Sequence, residues 1–121
     1  MQFMSGGPPS HVTSLMDRYR ELASGPGDNA FKLGAMRQIY VAETEEEALA
    51  IAKPAYDDWY RSILQLWHQR DDHAYDNFFA WDPCLAGETI LIGSVEKVRD
   101  QIQELVSLSA INYFVGSFAW G

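Results

Sequence analysis

The feature that most constrains this chain is its final run, INYFVGSFAWG at residues 111–121, apolar and aromatic almost throughout. A strand with one wet face alternates apolar and polar residues, whereas Ile111, Tyr113, Phe114, Val115 and Phe118 point to both faces. That pattern reads as a parallel strand covered on both sides. Such a strand expects neighbours beside it and a helix to follow over its outer face, and neither comes after it within the 121 residues.

The preceding chain alternates strands and helices. MQFMS reads as the end of a strand running into the GGPP turn. From Ser10, the residues Val12, Leu15, Met16, Tyr19, Leu22 and Ala23 recur at helical spacing, with Gly25 and Pro26 as the stop. Met36 to Ala42 is rich in strand formers. Thr44 with Glu47 three residues on is a capping box, so a helix starts there. Pro54 lacks an N–H and predicts a kink or a restart, after which Tyr56, Trp59, Tyr60, Ile63, Leu64 and Trp67 form a broad aromatic face.

Residues 68–89 hold no sustained period and read as one long connection. TILIGS is a strand, Ser94 caps a helix with Val98, Ile102, Leu105 and Val106 on its buried stripe, and the terminal run returns as a strand. This order argues for parallel pairing through right-handed crossovers.

Composition narrows the function classes. A formal net charge of −8 repels phosphodiester backbones and anionic lipid, so neither nucleic acid nor a membrane surface is an expected partner. The single cysteine, Cys84, excludes an internal disulfide and suits a reducing compartment. No apolar stretch approaches the roughly 20 residues of a membrane helix, so a soluble, cytoplasmic protein is expected.

Taken together, MQFMS, the SGGPPS turn, DRYREL, RQIYVAETEEEA, the Trp-Tyr pair of YDDWYRS, IGSVEKV and INYFVGSFAWG resemble the carboxyl-terminal part of the bacterial luciferase-like flavin monooxygenases. The resemblance runs in order over essentially all 121 residues. It implies an α/β fold, a C-terminal fragment of a (β/α)8 TIM barrel with about three parallel strands, its active site at their carboxyl ends. It also implies reduced FMN, or the deazaflavin F420, with O2 as oxidant and a small organic molecule as substrate. A separate flavin reductase would supply the reduced flavin, and the intact protein would be a homo-oligomer. The flavin phosphate contacts and the acid–base histidine lie on earlier strands of that family, so no catalytic residue is assigned here and the fragment alone is expected to be inactive. Two alternatives stay open: a relative that binds flavin without catalysis, and a small α/β module that covers its strands by oligomerising.

The resemblance places Trp59 near the flavin and substrate, where indole offers a flat apolar wall. Met4 and Ser5, at the end of the first strand, are further cofactor-binding candidates, and Ser117, Phe118 and Trp120, at the end of the last, are candidates for the substrate pocket. Packing alone accounts equally well for each. The connection at about 68–89 stands where the family carries a lid, with Phe78, Phe79 and Trp81 as its apolar underside. His68 and His73 with Asp71 and Asp72 lack an i, i+4 metal-ligand spacing and read as a solvated loop, so no metal is expected. Cys84 has no nucleophile signature, Asp57 and Asp58 read as a wet face, and capping accounts for Gly93 and Ser94.

Overall fold

The computed structural model describes residues 2–22 and 32–120. The elements run β1 (Gln2–Ser5), α1 (Pro9–Leu22), β2 (Lys32–Ala42), α2 (Glu45–His68), α3 (Trp81–Ala86), β3 (Ile90–Ser94), α4 (Val95–Ser109) and β4 (Tyr113–Ser117). The helix stop expected at Gly25 and Pro26 lies outside the described residues. Among the described residues no helix is long and apolar enough to cross a membrane.

The fold is mixed α/β with parallel strands, as expected, and it has four strands where about three were expected. β2 is the hub. β1 pairs with residues 32–35, β4 with 34–38 and β3 with 38–42, all in parallel. Ala35 lies between Ser5 and Phe114, and Gln38 between Ile90 and Ser117. A strand residue has one partner per edge, so β1 and β3 share one edge of β2 and β4 takes the other.

In a plain arc of a barrel β4 would lie beside β3. Here the eleven residues of β2 offer a longer row of unpaired N–H and C=O groups than the five of β3. Asn112 lengthens the ladder, its side-chain oxygen accepting from Leu33 N at 2.9 Å while its own N–H donates to Leu33 O at 2.8 Å.

Alternation along the strands sorts the core into two layers. Leu33, Ala35, Ile39 and Leu91 pack with Val12 and Met16 of α1 and Val98 and Leu105 of α4. Tyr40, Ala42, Ile90 and Ile92 face the other way, against Ala48, Ala52 and Tyr56 of α2 and Trp81 and Cys84 of α3. Helices therefore cover both faces, as right-handed crossovers in opposite directions require. β3 is buried on both faces, whereas every residue of β4 keeps some exposure. The two-sided burial expected of the terminal run does not hold for β4, because one edge of β4 and part of its face meet no other described element.

The helix ends follow local chemistry. Thr44 accepts from Glu47 N at 3.1 Å and Ser94 from Lys97 N at 3.3 Å, both as predicted. α4 ends on Ala110 at φ 50, a left-handed turn that an alanine adopts only under constraint. Arg20 of α1 supplies that constraint by donating to the carbonyls of Ser109 and Ala110 at 2.7 and 2.8 Å. α2 runs through Pro54 as one element, so the restart that was one of the two expectations does not occur. Pro54 and Ala50 are both exposed, so the carbonyl that loses its donor faces water.

Candidate functional site

The strand ends carry an aromatic cluster built on Tyr56 of α2, which is 2% exposed. Its ring centroid lies 5.1 Å from Trp59, one turn further along the helix, 5.4 Å from Trp81 and 6.2 Å from Trp120. Phe79 meets Trp59 edge-on at 5.9 Å, and Tyr40 meets Trp120 at the same separation. The Tyr56 hydroxyl donates to Phe79 O at 2.7 Å and Tyr60 to Asp76 O at 2.8 Å, while the Cys84 thiol donates to Phe78 O at 3.2 Å. The connection between α2 and α3 is thus bound to the helix by side chains that reach its carbonyls.

Burial pushes the Tyr56 phenol well above its ordinary range, with the neighbouring Cys84 adding to the effect. Tyr56 is therefore a fixed hydrogen-bond donor and not an acid–base group at neutral pH.

Of the residues singled out from the sequence, the structure gathers Trp59, Phe79, Trp81 and Trp120 in this cluster. Trp120 is held there by its indole N–H, which donates to Ile39 O at 2.5 Å. Phe118 is 68% exposed. Ser5 lies level with Ala35, Ser117 with Gln38 and Ser94 with Ala42. The strand ends therefore form a staircase along β2 from residue 35 to residue 42, roughly 23 Å at about 3.3 Å per residue. Met4 and Ser5 stand at its foot, away from the tryptophans, and the Ser5 hydroxyl accepts from Gly7 N at 3.3 Å.

Sequence reasoning missed Arg37. It lies in the middle of β2, 1% exposed, with Nη1 donating to Met36 O at 2.8 Å while Nε and Nη2 have no partner among the described residues. Burial lowers its proton affinity and Glu88 opposes that shift. A charged residue between the apolar positions 35 and 39 was the available signal.

A shallow cleft of about 930 Å³ lies elsewhere, between α1 and the turn before β3, lined by Pro9, Thr13, Asp17, Glu21, Gly87 and Glu88 among others. Of its carboxylates, Glu21 pairs with Arg18, which also lines the cleft, and Asp17 pairs with Arg20.

The family model for luciferase-like monooxygenases matches residues 1–111. The chain belongs to that family. This luciferase-like chain is 27% identical over 119 residues to the uncharacterized protein y4wF of Sinorhizobium fredii (strain NBRC 101917 / NGR234), a match covering 95% of this chain and 35% of the relative. Its fold is similar to that of monooxygenase RslO1 from Streptomyces bottropensis, with a TM-score of 0.63 at 20% identity over 97% of this chain and 33% of that one. The luciferase-like chain spans about a third of the length of each.

Between Trp59 and Trp120 the flavin implied by the family does not fit. Tyr56 packs against both Trp59 and Trp120 and is itself sealed, which leaves no slot for an isoalloxazine between the two indoles.

Proposed function

We propose that this chain is the carboxyl-terminal third of a flavin-dependent monooxygenase that oxidises a small organic molecule with O2. Reduced FMN, or F420 in its place, supplies the electrons, and a separate reductase replenishes it. The whole protein is a cytoplasmic homo-oligomer. The residues here contribute scaffold: a parallel sheet, and an aromatic cluster that positions the strand ends. The connection 68–89 serves as the lid, and the hydrogen bonds of Tyr56 and Tyr60 to the carbonyls of Phe79 and Asp76 hold it against α2.

The observation that carries this reading is an open apolar row. Met4, Met36 and Val115 sit on three paired strands, on one face, and are 43%, 40% and 37% exposed. An uncovered row across parallel strands is what remains when the opposite side of a barrel is taken away. The test is an oxygen-electrode assay of the protein extended through its upstream coding sequence, with a flavin reductase. Substrate-dependent O2 uptake is expected, and an extended protein that neither oxidises reduced flavin nor consumes O2 contradicts the proposal.

A second reading is favoured by the place of β4. Its pairing with β2, and helices on both faces, suit a free-standing α/β module that covers its open row with a second copy. A discrete flavin-free dimer of the 121-residue chain, with an in-frame stop just upstream, supports that reading over the first.

A further inference from the structure

We propose that His68, His73 and Asp76 form a binding site for one divalent transition-metal ion of the zinc class, at the junction of α2 and the connection that follows it. The Asp76 carboxylate joins the two imidazoles, its Oδ1 2.6 Å from His68 Nε2 and its Oδ2 2.9 Å from His73 Nδ1. The two rings stack at 4.6 Å with 33° between their planes. One ligand atom from each residue lies within 4.8 Å of the others. With bonds of about 2.0–2.1 Å, neighbouring ligands of a tetrahedral ion stand roughly 3.3 Å apart. To reach that spacing the Asp76–His68 contact opens by about 0.7 Å and the Asp76–His73 contact by about 0.4 Å, the ion taking the place of the hydrogens between the rings and the carboxylate.

The backbone builds this arrangement in advance. Asp71 N donates to His68 O at 3.0 Å and Asp72 N to Trp67 O at 3.0 Å, which turns the chain back over the end of α2. Asp76 N donates to His73 O at 3.2 Å, and Tyr60 of α2 holds Asp76 O at 2.8 Å. Spacing along a helix was therefore the wrong criterion for these histidines, since His68 ends a helix and His73 returns to it across a turn. Asp76, and not Asp71 or Asp72, completes the set.

Two imidazoles and one carboxylate suit zinc, cobalt, nickel or copper, while magnesium and calcium prefer all-oxygen shells. Both histidines are exposed, so an ion reaches them from solvent and keeps water in its remaining positions. The net charge of −8 raises the cation concentration at the surface. A bound ion would staple the connection 69–80 to α2.

The test uses the full 121-residue chain, free of any affinity tag and stripped of metal, titrated with Zn2+ by calorimetry and with Co2+ by visible absorbance. One ion per chain is expected. His68→Gln, His73→Gln and Asp76→Asn should each weaken binding by at least the roughly tenfold that losing a supporting partner costs. His11→Gln, which alters the third histidine on α1, should leave binding unchanged. Circular dichroism of each variant confirms that these exposed side chains are not needed for folding. The absence of saturable binding, binding that survives all three substitutions, half an ion per chain with a doubled mass, or equal competition by Mg2+ would each overturn the proposal.

Discussion

The indole N–H of Trp120 donates to the carbonyl oxygen of Ile39 at 2.5 Å, tying the end of the chain to the central strand. Trp120 also lies against Tyr40 and Tyr56, so it belongs to the core of the strand ends. Trp120→Phe keeps an aromatic ring but leaves the Ile39 carbonyl without this donor. The expected loss is about 1–3 kcal/mol, read as a lower urea midpoint. An unchanged midpoint would free Trp120 from this structural role and return it to the list of pocket walls.

Tyr56 should make stability fall at alkaline pH. Its folded-state pKa is raised by burial, so the stability it contributes is complete below the ordinary tyrosine value of about 10 and is lost as pH rises from there towards the folded value. Denaturation midpoints compared between about pH 8 and about pH 11 should fall steeply for the native chain and less steeply for Tyr56→Phe. The same substitution releases Phe79 O, so it should also speed proteolysis within residues 69–80. Equal slopes in the two proteins would show that Tyr56 is solvated.

Arg37 is a buried cation with two donor nitrogens unpartnered among the described residues. Burying a charge without full hydrogen bonding costs free energy that an apolar side chain does not, so Arg37→Leu should raise the melting temperature. A marked drop would mean that the guanidinium holds a partner that only the longer protein or a ligand supplies.

Local chemistry made much of the fold legible. Thr44 and Ser94 announce their helices because a cap needs only a side chain and the N–H three residues on. β2 begins at Lys32, four residues before the expected Met36, because the sequence hides how Gly34 is used. The Tyr113 ring rests over that glycine, where an added Cβ would come within 2.4 Å of it. α3 has six residues, too few to show a period, and passed for loop. The place of β4 depends on which edge was open, a long-range property absent from any window of sequence. The site divides in the same way. Resemblance pointed to Trp59 and Trp120, whereas the burial of Tyr56 and Arg37, and the meeting of His68 with Asp76, arise only when separate elements pack.

Flavin binding tests the central claim most directly, measured by fluorescence titration with FMN and F420 on the 121-residue chain and on the same chain with its upstream extension. The account expects no saturable binding by the chain alone and one flavin per extended protein. Stoichiometric binding by the 121 residues, or none by the extended protein, would contradict it.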